Sequence, residues 1–308
     1  MAGLWRDPEG ERPPWARMVD TLLDRTVNPD HRVPRAALTR AVSGKVVLVT
    51  GASYGLGEAT ARALAEAGAT VLAVARTAER LDTLSRATDG TVHPYPCDLT
   101  DFDSVGSLAD RVLADHGRID VVVNNAGKSL RRSLSLQYDR FQDFTRLAAV
   151  NYLGPVRLLL GLLPHMRERG TGHVVNVSTI GVRIPPGPRW GSYQASKGAF
   201  DTWLRSVTPE LAEDGVAVST VYMGLIFTRM SAPTPVMRRL PGLDPEEAAG
   251  IVARALVGRE REIAPWWVRP AQIPEVVGRR AVNAALRALY RNGRDTPSAL
   301  GTSREVAT

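Results

Sequence analysis

Cysteine is nearly absent: Cys97 is the single thiol in 308 residues. One thiol closes no internal disulfide, and no cluster of cysteine and histidine offers a zinc site, so disulfide scaffolds and zinc-ligand folds are excluded. Cys97 reads as a small buried hydrophobe at a strand end rather than as a reactive thiol. Long apolar runs are missing too. None reaches the roughly 18 residues of a membrane-spanning helix, and the first residues, Met1 to Glu9, lack the apolar core of a secretory signal. A soluble cytoplasmic protein is therefore expected. With no metal-ligand cluster, zinc finger or RNA-binding sheet motif, neither a metal nor a nucleic acid is expected as a partner. Internal repeats and low-complexity stretches are lacking as well.

What is present suits one large α/β domain with extensions, or at most two domains: 44% of the residues are hydrophobic and 23% charged. The 39 basic against 32 acidic residues leave a net charge of +7, a mild excess that could draw acidic ligands such as phosphates. Much of it reads simply as solvated helix faces.

Residues 1–43 read as an N-terminal extension, with a short helix-like piece at 16–23 and with Trp5 and Trp15 suited to packing. From Gly44 the texture changes. Short β-branched runs at 45–50, 70–75, 91–95, 119–124, 172–178, 216–222 and 261–264 alternate with helical patterns at 55–67, 78–87, 102–116, 138–169 (broken near Asn151), 192–214 and 244–257. Most of these strands are apolar on both faces. The alternation predicts a doubly wound parallel sheet of about seven strands, a Rossmann fold with helices on both faces, over residues 44–265. A tail follows at 266–308. Its stretch 274–294 reads as a basic amphipathic helix, with Trp266 and Trp267 anchoring its start. It is a candidate for peripheral membrane contact, for packing on its own domain, or for packing on another subunit.

The chemistry clusters at strand ends, where such sheets bind ligands. Thr50-Gly-Ala-Ser-Tyr-Gly-Leu-Gly57 joins the first strand to the first helix. Gly51 can take the tight turn, Gly55 lets backbone approach a phosphate, and Gly57 permits close helix packing, while the helix N-terminus offers free N–H groups to a pyrophosphate. The spacing is Gly-x-x-x-Gly-x-Gly. With Thr50, with Asn124-Asn-Ala-Gly127 after the fourth strand, and with Asn151, Ser178 and Tyr193-Gln-Ala-Ser-Lys197, it resembles the short-chain dehydrogenase/reductase family from about Gly44 to Thr228, and more loosely to Ala264.

That resemblance implies a nicotinamide dinucleotide held by Gly51, Ser53, Tyr54, Gly55, Leu56 and Gly57 in the loop. Arg76, Asp98 and Leu99 would line the adenosine side, and Asn125, Ala126 and Gly127 would follow the fourth strand. Tyr193, Lys197, Ile226 and Thr228 would flank the nicotinamide. Ala75 stands where an acidic residue would bond the ribose hydroxyls of NAD, and Arg76 follows it, which favours the 2′-phosphate of NADP(H) over NAD(H). Family members often add a basic residue in the glycine loop; Tyr54 is there instead, so Arg76 is the main evidence.

Tyr193 and Lys197 lie four apart on a predicted helix and so share a face. An ammonium beside the phenol, with the positive nicotinamide in the oxidised complex, would lower its pKa and let it act as acid or base near neutral pH. The Ser178 hydroxyl could orient a carbonyl and stabilise charge on its oxygen. By resemblance, Asn151 would hold a water linked to Lys197, and Lys197 would hold the nicotinamide ribose. The expected reaction is hydride transfer to or from a carbonyl carbon, with Tyr193 moving the proton.

Substrate choice should come from the late loops. The stretch 181–190 is rich in proline and carries Trp190, which suits a stiff apolar wall. Met223 replaces the family's usual proline before Gly224. Residues 76–81, 95–105, 129–133, 159–169 and 230–234 look like bacterial fatty acyl-CoA reductases and their mycobacterial relatives, which implies a long apolar acyl or aldehyde substrate. Arg131 and Arg132 would suit the phosphates of CoA, or read as solvated loop charge. A carbonyl reductase, an acyl-CoA reductase and a non-catalytic dinucleotide sensor all stay open at this point. The family's habit implies a homodimer or homotetramer.

Overall fold

A computed structural model of the chain describes residues 27–301 except 235, 236, 238 and 239; the segment 16–23, Trp5 and Trp15 lie outside the described residues. The described chain starts with helix α1 (Arg35–Val42), strand β1 (Val46–Thr50), α2 (Gly55–Glu66), β2 (Thr70–Ala75), α3 (Ala78–Arg86) and β3 (Thr91–Pro96). Then come α4 (Phe102–His116), β4 (Val121–Asn124), α5 (Phe141–Ala148), a π-helical turn (Ala149–Leu153), α6 (Gly154–Glu168) and β5 (Gly172–Thr179). The last elements are α7 (Gly191–Glu213), β6 (Val216–Met223), α8 (Pro245–Gly258), β7 (Glu262–Ile263), α9 (Val268–Val277), α10 (Arg279–Asn292) and α11 (Pro297–Leu300).

The seven strands form one sheet in the order β3-β2-β1-β4-β5-β6-β7, and every pair is parallel. The doubly wound arrangement expected from the sequence is the observed one. Its cause is visible in β1, whose five residues are all buried. Val47 and Val49 pack with Leu38 of α1, Leu64 of α2 and Ile251 of α8. Val46 and Leu48 pack on the opposite face with Leu108 of α4, Leu158 of α6 and Phe200 of α7. A strand covered on both sides has no polar face to alternate with, which is why it reads as a continuous apolar run.

Helix ends follow local chemistry. Gly117 adopts the left-handed conformation after α4 (φ 69°), Asp101 caps the start of that helix through the Ser104 N–H, and Asp244 forms a capping box with Glu247 before Pro245. Residues just before Gly44 are part of the packing: Leu38 and Val42 of α1 are buried in the core, and the Trp267 indole N–H donates to the Val27 carbonyl at 2.8 Å. The expected break near Asn151 is a π-turn inside one continuous helical run from Phe141 to Glu168. By length and composition that run could cross a membrane, but Leu158, Leu159 and Leu162 are buried beneath the sheet, as in a core helix. The tail departs from its expected form. The single helix expected over 274–294 is split between α9 and α10 at Gly278, where glycine costs a helix about 1 kcal/mol.

Arg132 also departs from both sequence readings. It is neither solvated nor free for a ligand: its guanidinium is buried, ion-paired with the buried Asp143 and bonded to the Ala299 carbonyl, and its backbone N–H donates to Arg189 O. Removing one member of such a pair leaves the other charge buried and unpaired. Asp143→Ala is therefore expected to lower unfolding free energy by about 3–5 kcal/mol, and Arg132→Met with Asp143→Leu to recover most of the loss. Denaturant unfolding measures both; a single-site loss below about 1 kcal/mol would mean the pair is effectively solvated.

Candidate active site

The strand order reverses between β1 and β4: the chain leaves β1 for β2 on one side, and β5 lies on the other side of β4. A crevice opens beyond the carboxyl ends of strands at such a point. Here its two lips are clasped. Thr50 Oγ1 accepts from the N–H groups of Asn125 and Ala126, each at 3.0 Å, and Asn125 Nδ2 donates to Thr50 O at 2.9 Å. Gly51 holds a φ of 71°, and a methyl on it would come within 2.9 Å of Ala126 Cα; a methyl on Gly57 would collide with the Gly51 carbonyl. Only glycine fits either position. Tyr54 precedes α2 in an extended conformation with no side-chain cap, so the first-turn amides of α2 are presented to the crevice. This cradle fits a dinucleotide's pyrophosphate.

The predicted catalytic side chains converge at the end of β5. Lys197, buried on α7, donates its Nζ to Val177 O at 3.2 Å. The Tyr193 phenol, one helical turn earlier, lies close enough to the Thr179 side chain to be influenced by it. These two contacts flank Ser178, whose buried Oγ has no partner among the described residues. Asn151 sits in the π-turn. Its Oδ1 accepts from the Lys128 N–H, and its Nδ2 donates to Lys128 O and to Ser196 Oγ, all at 2.9 Å. The extra residue of the π-turn aims this amide at the loop after β4. Gly127 is packed so closely that a methyl there would lie 2.9 Å from Asn151 Oδ1 and 3.2 Å from Lys197 Nζ.

Burial pushes the Tyr193 phenol above its ordinary pKa, and the Thr179 side chain offsets only part of that. Lys197 donates its ammonium to the Val177 carbonyl and is itself pushed down, to about 8, by burial.

At the other end of the crevice, the Arg76 side chain is largely exposed, with Nη1 4.0 Å from Asp98 Oδ2. The Asp98 carboxylate also accepts from the Thr100 N–H and hydroxyl, and Leu99 is buried beside it. Tyr54, which stands in the loop where a basic residue is common, gathers basic groups from elsewhere. Arg80 Nε donates to its hydroxyl at 2.8 Å, and the Arg80 and Arg229 guanidinium carbons lie 4.8 and 4.2 Å from its ring centroid. Lys128 feels the same field: its pKa is lowered by burial first and then by Arg146 and Arg76. Thr228 lies against the glycine loop, its Cγ2 3.0 Å from where a Gly55 methyl would be, and Ile226 bridges to Leu243. Ser53 and Leu56 complete the loop, Leu56 facing the core. Met223 extends β6 by pairing opposite Thr179, at the position where the family's usual proline would stand.

Sequence reasoning missed Thr179, Ser196, Lys128 and Arg80. Arg80 looks like any solvated helix charge, and the other three act through contacts between distant segments. It also missed that Trp190 faces the chemistry directly, with its ring centroid 5.8 Å from that of Tyr193.

Comparison with known proteins agrees with this geometry. A family model described as short chain dehydrogenase matches residues 45–238. An uncharacterized oxidoreductase of Mycobacterium tuberculosis is 42% identical over 277 residues, covering 88% of this chain and 81% of its own. A fatty acyl-CoA reductase of Acinetobacter baylyi is 42% identical over 235 residues, covering 75% of this chain and 79% of its own. The crystal structure of a metagenomic short-chain oxidoreductase in complex with NADP superposes with a TM-score of 0.62 at 33% identity, over 70% of this chain and 92% of that one.

Burying Lys197 has a measurable cost. Its folded pKa of about 8 lies below the free value of 10.5, so the unfolded chain binds more protons between those values and stability rises with pH across that window. Lys197→Met is expected to be more stable than the parent by roughly 1–3 kcal/mol at pH 7. That gap should close as the pH climbs towards 10.5. Denaturant unfolding at several pH values tests this; a variant less stable at pH 7, with a gap flat in pH, contradicts a desolvated lysine.

Proposed function

The chain belongs to the short chain dehydrogenase family, and from that premise we propose that it is an NADP(H)-dependent oxidoreductase acting on the carbonyl of a hydrophobic substrate. The observation that carries the reading is the unpartnered Ser178 hydroxyl held between Lys197 and Tyr193 at the crevice mouth. When bound, the reduced nicotinamide supplies a hydride to the carbonyl carbon and is itself oxidised. Tyr193 Oη, protonated at neutral pH as an ordinary phenol is and pushed further up by burial, gives its proton to the carbonyl oxygen. Ser178 Oγ donates a hydrogen bond to that same oxygen and fixes its direction. The phenolate left behind lies one turn from Lys197, whose charge stabilises it. Asn151 holds the loop after β4 against α7 through Lys128 and Ser196.

The preference for NADP(H) is supported by Ala75 in place of an acid and by the basic set at Tyr54. The relative solved with NADP is consistent with it. Arg76 and Arg80 would take the 2′-phosphate. Charge-assisted hydrogen bonds of this kind are worth about 1.5–3 kcal/mol each.

A second, narrower reading is favoured by two relatives. The proteins of Acinetobacter baylyi and Mycobacterium tuberculosis named fatty acyl-CoA reductase are 42% and 37% identical to this chain. With a thioester as substrate, the C–S bond breaks after hydride addition and the thiol leaves, giving an aldehyde.

Two measurements test these readings. In a spectrophotometric screen of ketones, aldehydes and acyl-CoAs, NADPH oxidation should rise with chain length, and Tyr193→Phe should cut it by about 100-fold or more. Release of free thiol with palmitoyl-CoA would select the thioester reading. Arg76→Ala with Arg80→Ala should weaken NADPH binding by about 10- to 100-fold in a fluorescence titration. NADH binding should barely change; equal losses for both would exclude a 2′-phosphate site.

A further inference from the structure

Helix α10 is an anomaly among the helices. It carries no buried residue, although Val282, Leu286 and Leu289 recur along it with helical spacing. From Val276 to Arg294 the chain has no acidic residue and five arginines. The helix is held instead at its C-terminal end. Arg189 donates to the carbonyls of Tyr290 and Gly293 at 3.3 and 2.9 Å, lies over the Tyr290 ring at 4.5 Å, and pairs with Asp295. Asp295 also accepts from the Ser133 N–H, and Arg131 Nη1 donates to Arg294 O, both at 2.8 Å. Arg131 is therefore committed to the tail. Arg189 makes its contacts from a φ of 72°, which a residue with a side chain seldom adopts.

The result is an open cleft of about 750 Å³ between α10 and the proline-rich loop. Pro186 and Pro188 form one wall; Leu286 and Tyr290 form the other; Arg287 and Arg291 stand at it. Among the described residues neither of these two arginines has a carboxylate partner. The loop wall continues directly into the active site: the Trp190 N–H returns to Gly187 O, and the Trp190 ring meets Tyr193.

We propose that this cleft seats the acyl chain of a thioester carried on a phosphate-bearing carrier, with Arg287 and Arg291 taking the carrier's phosphates. The inference rests on the reading of Tyr193 as the group that protonates a carbonyl. The apolar wall suits a hydrocarbon chain, and two neighbouring guanidiniums without a carboxylate partner among the described residues suit phosphate.

The test is isothermal titration of the full NADPH-loaded chain with palmitoyl-CoA, with CoA and with palmitate. Ala284→Trp, which fills the cleft from an exposed helix, should weaken palmitoyl-CoA by about tenfold or more and leave CoA unchanged. Arg287→Glu with Arg291→Glu should weaken both palmitoyl-CoA and CoA by about tenfold or more and leave palmitate less affected. Thermal unfolding midpoints close to the parent's show that the variants are folded. Unchanged palmitoyl-CoA binding in both variants overturns the proposal. So does loss of binding to phosphatidylglycerol vesicles alone, which would make α10 a membrane-facing helix. If the parent binds palmitoyl-CoA in this way yet oxidises no NADPH with any carbonyl, the cleft stands and the hydride-transfer reading falls.

Discussion

A buried ammonium at the end of β5 constrains everything around it. Lys197 has been taken out of water and given one carbonyl, that of Val177, in exchange. Desolvation of a cation is costly, and a hydrophobic residue of similar length would pack there more favourably. The arrangement persists because the same burial places a positive charge, undiluted by solvent, one turn from a phenol. It also dictates the neighbours. The loop after β4 passes so close that position 127 admits no side chain, and the π-turn at Asn151 supplies the amide that keeps that loop in place.

This geometry explains how the phenol behaves. A lysine four residues away on a helix suggests a lowered tyrosine pKa, since charge–charge attraction is the effect that spacing makes visible. In the folded chain desolvation is the largest influence on both groups, and it moves them in opposite directions: the phenol up, the ammonium down. Burial thus favours the neutral form of each group more than water would. The phenol keeps the proton that a carbonyl oxygen needs. The ammonium, with a pKa of about 8, keeps its charge at neutral pH by a narrow margin, so a phenolate forming beside it gains an attraction that solvent does not screen.

Legibility followed the range of the interactions. The sheet was readable because strands covered on both faces must be apolar throughout, as in β1, and helix ends were readable because Asp101, Gly117 and Asp244 act on their own helices. The glycine loop and the Tyr193–Lys197 pair were likewise local patterns. What escaped was decided between segments. Tyr54 gives no hint that Arg80 and Arg229 will close on its ring, because they arrive from α3 and from the loop after β6. Arg132 sits in a polar, arginine-rich stretch that reads as solvated, yet Asp143 and Ala299 bury it. Gly278 split a tail whose amphipathic pattern runs through it, because spacing records which face is apolar but not where the backbone yields.

The arginines divide into two populations, and the division bears on function. Arg132, Arg183 and Arg189 are committed to structure, each bonded to a carboxylate and, for Arg132 and Arg189, to backbone carbonyls as well. Arg287 and Arg291 have no such partner among the described residues, and Arg76 has only a carboxylate at 4.0 Å. These freer cations are not scattered. They stand at the adenosine end of the crevice and over the loop that leads to Tyr193, on either side of the proposed chemistry. Two separated patches of one sign, each with its own apolar surface beside it, are what a site needs if both reactants carry phosphate at one end and react at the other. In the proposed reaction their charges would steer each ligand by its phosphates, while the aromatic middle, where Trp190 and Tyr193 meet, would limit water at the carbonyl. The modest excess of +7 is therefore less informative than where its unpaired members sit.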